Sequence, residues 1–194
     1  GMTFHNGREV VADDIAYSFT RMLTMKPVSP SSGQIQVIVG AAELEKGEAA
    51  ALEGVKVLDD KTFSITLTEK IDPAYHFYLP GTAIVPKEEV ERLGDQFGLT
   101  PVGSGPFKFK EWVPGSEVTL VKYDGYYEKG LPYLDSVVYK IMQEGAARDI
   151  AFRAGELDAT IIEAAQYGGF KDDPEYAKNL IEVPEMFTRL IVWN

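Results

Sequence analysis

The chain contains only two histidines, His5 and His76, and no cysteine, so most nucleophilic and metal chemistry is already narrowed. A histidine metal site needs further ligands at short helical spacing, and neither His-x-x-x-His nor His-Glu-x-x-His occurs. His5 lies beside the turn-like Asn6-Gly7 and His76 in an aromatic helical stretch, so both are expected to be structural. A serine nucleophile elbow requires Gly-x-Ser-x-Gly. Gly103-Ser104-Gly105-Pro106 lacks that spacing, and its proline disrupts the strand-to-helix turn such a serine needs. Phosphate-cradling glycine loops are missing as well. The acidic pairs Asp13/Asp14, Asp59/Asp60, Glu88/Glu89 and Asp172/Asp173 all fall at helix starts or turns. Carboxylates there accept orphan backbone N–H groups, so capping explains them better than paired acid–base catalysis. No calcium-loop spacing is present. The residues therefore predict no catalytic group, no metal and no cofactor. Tyr75, Phe77, Tyr78, Tyr123, Tyr126, Tyr127 and Tyr133 could line a pocket or serve as core.

These residues are carried by a mixed pattern of elements. Ile15, Phe19, Met22 and Leu23 form one helical stripe between Asp13 and Met25, with two aspartates in the first turn where the helix dipole favours them. Pro27, Pro30 and the serines and Gly33 around them interrupt regular structure, and Ala41 to Lys46 resumes as helix with a Gly47 stop. Val55, Val57, Phe63, Ile65 and Leu67 alternate around Asp59-Asp60-Lys61 as a β-hairpin. Asp72-Pro73 opens a short aromatic helix. Ala83 to Val85 reads as a short strand, and Pro86 and Gly94 bracket another helix at its first position and its end. Leu99 to Pro106 is the densest Gly/Pro stretch and the best candidate for a domain boundary or crossover. Alternating segments follow at Phe107 to Trp112, Val118 to Tyr123 and Val137 to Ile141. A helix over about Ala146 to Ala154 ends at Gly155; then come a strand at Asp158 to Ile162, a short helix opened by Asp173-Pro174, and two closing strands. The fold class is mixed α/β (α+β), with antiparallel hairpins dominant.

Composition excludes further classes. The 194 residues are 45% hydrophobic and carry 22 Phe, Tyr and Trp residues, enough for a core and unlike a disordered chain. The absence of cysteine excludes a disulfide framework, thiolate zinc and iron–sulfur sites. Nineteen basic against 30 acidic residues give a net charge of −11, which argues against a nucleic-acid partner. No run approaches the ~18 apolar residues of a membrane helix. The chain starts in mid-pattern and stops after the apolar stretch Phe187 to Asn194, so both ends read as cuts through a longer chain.

Several ordered blocks resemble the solute-binding proteins of bacterial ABC importers, family 5. Phe4-His5-Asn6-Gly7 with Ala12-Asp13-Asp14-Ile15 and Ser18-Phe19 is similar to that family's Phe-His-Asp-Gly and Ala-x-Asp-Val-x-x-Ser-Phe. The resemblance continues through Gly54-Val55-Lys56-Val57-Leu58-Asp59-Asp60, Ile84-Val85-Pro86-Lys87 and Pro101-Val102-Gly103-Ser104-Gly105-Pro106-Phe107. Tyr126-Tyr127, Pro132-Tyr133-Leu134-Asp135 and Ala154-Gly155-Glu156-Leu157-Asp158 complete it. Val11 departs from the usual Thr or Ser cap, so the first-turn aspartates must replace the missing hydroxyl.

The resemblance implies part of a periplasmic-binding-protein-like II fold with antiparallel and mixed sheets. Residues 1–99 would be most of the smaller second domain. Residues 100–194 would be the middle part of the first domain, ending at the crossover to a third domain beyond this sequence. It implies a periplasmic or lipid-anchored cell-surface receptor that captures peptides or similar solutes and hands them to an ABC permease. Ser32, Gly33 and Gln34 would then face ligand, as would Arg189, Leu190 and Val192 on the closing strand. A truncated face would also invite self-association. Two other readings are a sensing or interaction domain that has kept the receptor fold, and an acid–base hydrolase.

Overall fold

The computed structural model describes residues 1–183 and divides into two compact units, residues 1–140 and 141–194. The expected boundary near Thr100 falls within the first unit; Arg189, Leu190, Val192 and the closing strand lie outside the described residues.

The first unit begins with helix α1 (Ala12–Thr24), which buries Phe19, Met22 and Leu23 along the anticipated stripe. Val11 has no side-chain acceptor to cap it. Instead the Asp14 carboxylate accepts from the Val11 N–H at 2.9 Å, while the Asp14 N–H donates to the Val11 carbonyl at 3.0 Å. The Val11 carbonyl thus takes the N–H that a cap hydroxyl would accept, and the aspartate supplies the acidic half of a capping box. A 3-10 turn (Ser32–Ile35) and helix α2 (Ala41–Lys46) follow, the latter ended by Gly47 at φ 79°. Phe19, Met22 and Leu23 pack with Ile35, Ile38, Ala41, Leu44 and Leu52 to form the core.

Strands β1 (Val55–Asp59) and β2 (Thr62–Ile65) form the expected antiparallel hairpin, with Asp59 Oδ1 accepting from the Lys61 N–H at 2.8 Å in its turn. Gly54 leads into it at a crowded point: a Cβ there would fall 2.8 Å from the Ile38 side chain and from the carbonyls of Val39 and Thr66. Only a residue without a side chain lets the chain pair Gly54 N–H with Val39 O and Thr66 N–H with Gly54 O. Helix α3 (Pro73–Phe77) is capped by Asp72 and places Phe77 parallel to Phe19, ring centroids 5.8 Å apart.

Ala83 to Val85 is not a strand. The Val85 N–H instead donates to Ser18 Oγ at 3.0 Å, so a side chain of α1 takes the place of a strand partner. Pro86 is the N-cap of α4 (Lys87–Leu93) rather than its first residue.

Strands β3 (Phe107–Val113), β4 (Glu117–Lys122) and β5 (Ser136–Lys140) form an antiparallel sheet in that order. Pairing aligns Phe109, Leu120 and Val137 in one cross-strand row and Trp112, Val118 and Tyr139 in the next, on the same face. That face is apolar, yet Trp112 is 42% and Tyr139 59% exposed.

The second unit contains α5 (Gly145–Arg153), α6 (Ala164–Lys171) and α7 (Pro174–Ala177). Gly155 at φ 76° follows α5 as expected. Asp158 to Ile162 is not a strand, since no neighbouring strand is present among the described residues to accept its hydrogen bonds. Helix α6, with Gly168-Gly169 inside it, was not legible as helix. Its Phe170 is buried against Phe152 and Tyr176, and the Arg153 guanidinium lies 4.4 Å and 4.5 Å from the Phe170 and Tyr176 ring centres.

One ion-pair hub ties the start of the chain to α1 and α4. The Arg8 guanidinium donates to both oxygens of the buried Asp14, at 2.6 and 3.1 Å, and through Nε to Glu88 at 2.6 Å. It also lies 5.0 Å from the Phe4 ring centre. These bonds raise the Arg8 pKa, and the Arg8 bond holds the Glu88 carboxyl at about 2, against its usual 4.5. Removing Asp14 leaves Arg8 paired only with Glu88, and the α1 cap is lost with it. Asp14→Ala should therefore cost about 2–4 kcal/mol in urea unfolding. Glu88 is half exposed, and Glu88→Gln should cost under about 1 kcal/mol. Equal losses would contradict this hierarchy. Because the folded Glu88 pKa is depressed, its contribution is complete above pH 4.5 and fades as pH falls towards 2.

Candidate functional site

The predicted ligand turn is held from within and from behind. Ser32 N–H donates to Ser29 O at 2.9 Å and Gln34 N–H to Ser31 O at 3.0 Å, closing the 3-10 turn. Behind it lies the Pro80–Thr82 turn, pinned by the Thr82 hydroxyl, which sits 2.8 Å from the carbonyls of both Phe77 and Leu79. The approach is close. A Cβ at Gly81 would lie 2.4 Å from Gln34 Oε1 and from Ser31 Cβ. Gln34 Oε1 is buried there with no hydrogen-bond donor. Gly33 is exposed, and Ser32 and Gln34 are half-buried. The role of Gly81 as the seat of the Ser31–Gln34 turn depends on a contact that sequence spacing does not reveal.

Each unit carries a recess of some size. In the first, a groove of about 450 Å³ is lined by Met2, His5, Ile84, Ser104, Phe107 and Leu120 among others. In the second, a cavity of about 620 Å³ is lined by Thr160, Ile161, Tyr167, Tyr176, Leu180 and neighbours. Neither includes Ser32, Gly33 or Gln34.

The groups that could do chemistry are engaged structurally. His5 Nε2 is 3.0 Å from Gly105 O, and His5 Nδ1 accepts from the Gly103 N–H at 3.3 Å. Asp59, Asp72 and Asp173 each accept the backbone N–H two residues on. Glu88 and Glu89 are bound by Arg8 and Arg92, with Asn6 donating to both. Ion pairing rather than capping therefore explains that acidic pair. Among the described residues no cluster of three His, Cys, Asp or Glu could hold a metal, and no helix is long and apolar enough to cross a membrane.

The tight seat makes a stability prediction. Gly81→Ala should cost about 1–3 kcal/mol, because the new methyl overlaps Ser31 Cβ, which cannot swing away. Gly33→Ala, whose Cβ would meet nothing within 4 Å, should change stability by less than about 0.5 kcal/mol. Thermal and urea unfolding of the two variants checks this; equal effects would show that the seat is not tight.

The sequence matches the family described as Bacterial extracellular solute-binding proteins, family 5 Middle, over residues 1–194. It is 31% identical over 174 residues to the oligopeptide-binding protein AppA of Bacillus subtilis, covering 86% of this chain and 29% of AppA. The fold is similar to the substrate-binding domain of an oligopeptide ABC transporter from Bacillus anthracis, with TM-score 0.80 and 26% identity, covering 90% of this chain and 35% of that one. It is also similar to AgaA of A. tumefaciens R10, solved with agropinic acid, with TM-score 0.72 and 30% identity over 89% of this chain and 33% of AgaA. The chain thus spans about a third of the length of these relatives. With the family matched from end to end, the chain belongs to the bacterial extracellular solute-binding proteins, family 5.

Proposed function

We propose that this chain is the middle portion of an extracytoplasmic receptor that captures short peptides or similar small solutes and delivers them to an ABC permease, without catalysis. The observation that carries the reading is the end-to-end family match, joined to relatives named for oligopeptide binding. In this reading residues 1–99 form most of the smaller second domain, and residues 100–194 the middle part of the first. Ser32 and Gly33 stand on the open side of their turn, where a hydroxyl and an unobstructed backbone suit a peptide's own donors and acceptors. Gln34 beside them belongs to the same group of contacts, and Arg189, Leu190 and Val192 supply the second group.

The apolar face of the β3–β5 sheet supports the same reading. Trp112 and Tyr139 are exposed on a face that otherwise carries Phe109, Val118, Leu120 and Val137. A sheet built for such burial needs a covering layer, and in the receptor the remaining polypeptide supplies it.

Isothermal titration of the full-length receptor tests the function. Micromolar or tighter binding of short peptides is expected; binding of an opine such as agropinic acid but no peptide would move the ligand class, and binding of no small solute would overturn the reading. The 194-residue chain alone should bind the same ligand poorly and should self-associate in light scattering. Trp112→Glu should shift it towards monomer. A monodisperse wild-type monomer would show that the sheet face needs no cover.

A further inference from the structure

Both ring nitrogens of His5 are assigned by the backbone around it. Gly103 N–H is solely a donor and Gly105 O solely an acceptor, so the ring must carry its proton on Nε2 and keep Nδ1 bare. The His5 backbone N–H also donates to Gly103 O at 2.7 Å. One residue therefore makes three bonds to the Gly103-Ser104-Gly105 loop, nearly a hundred positions away. That loop leads directly into β3, and on its far side the Tyr123 N–H donates to Pro106 O at 2.9 Å.

We infer that His5 is a proton-operated clamp on the loop joining the helical half of the first unit to its three-stranded sheet. Neutral, it fastens Gly103 and Gly105 to the N-terminal turn. Protonated on Nδ1, it turns one N–H against another and releases Gly103. The Gly105 bond survives, since Nε2 still donates, so protonation loosens one end of the loop rather than detaching it. Gly103 has room to respond: its nearest neighbour to a built Cβ is His5 Cε1 at 3.7 Å.

The surroundings of the ring agree. Burial pushes the His5 imidazole below its usual 6.5, the Gly105 bond opposes this, and Lys108 on β3 adds to the lowering. Tyr123 meets the ring edge-on at 4.9 Å, its hydroxyl donating to Phe4 O. From α4, Glu89 and Arg92 line a second, smaller recess that includes His5, and Glu89 is already engaged by Arg92 and Asn6. No carboxylate is thus paired with the imidazolium among the described residues. The sign follows: with the folded pKa below the unfolded one, the clamp is complete above pH 6.5 and is lost as pH falls through the lower, folded value. This inference is independent of which ligand the receptor takes.

Nuclear magnetic resonance of the 194-residue chain tests it. Hydrogen-exchange protection of the Gly103 amide and the ring Cε1–H shift of His5 are followed from pH 8 to pH 5. Protection, corrected for intrinsic exchange, should fall about five- to tenfold, the scale of one hydrogen bond, with the same midpoint as His5 and below 6.5. His76→Gln, which leaves His5 as the only imidazole, should keep that dependence, and His5→Gln should abolish it. Unchanged Gly103 protection across the His5 titration would overturn the clamp. So would loss of the dependence in His76→Gln, or its persistence in His5→Gln; the first two readouts decide the matter even where His5→Gln does not fold.

Discussion

The bidentate pair between Arg8 and the buried Asp14 is the contact on which the first unit depends. Asp14 faces two demands at once, to cap an α1 that begins after a valine and to neutralise a guanidinium brought in by the N-terminal turn. A buried carboxylate is tolerated only when its lone pairs are filled, and here two guanidinium N–H groups and a backbone N–H fill them. Arg8 also reaches Glu88, so the hub positions α4 relative to α1 and, through the same turn, brings His5 to the loop that enters the sheet. The hub sets geometry more than it sets net stability, since buried pairs repay their desolvation only in part.

From this anchor the molecule is layered by hydrophobic burial. α1, the Ser32–Ile35 turn and α2 share one core, and the β1–β2 hairpin packs on it through Val55 and Ile65. The β3–β5 sheet is different in kind, because its apolar face carries side chains suited to a core without a core to enter. That contrast between a finished helical part and an unfinished sheet agrees with a chain that spans about a third of its relatives.

Local pattern revealed much of this fold. The α1 stripe, the Gly47 and Gly155 stops, the β1–β2 alternation and the three later strands were all legible, because each is set by periodicity and turn chemistry within a few residues. Long-range partners hid the rest. Ala83 to Val85 has strand composition, but Ser18 takes its backbone donor. Asp158 to Ile162 has strand composition and no strand beside it among the described residues. α6 contains a Gly-Gly pair that reads as a break, and it is Phe170 packing on Phe152 and Tyr176 that supports the helix. Of the candidate site, the Ser32–Gln34 turn could be named as an expected ligand contact only from the family resemblance. Its dependence on Gly81 could not, since the two segments meet only in three dimensions.

The proposed ligand surface lies at Ser31 to Ile35, braced from behind by Gly81. Hydrogen exchange of the full-length receptor, with and without saturating short peptides, measures that directly. Slower exchange is predicted at Ser32, Gly33 and Gln34 in the liganded receptor, with the solvent side of β1–β2 unchanged. Ligand saturation that leaves the Ser31 to Ile35 amides untouched would contradict it.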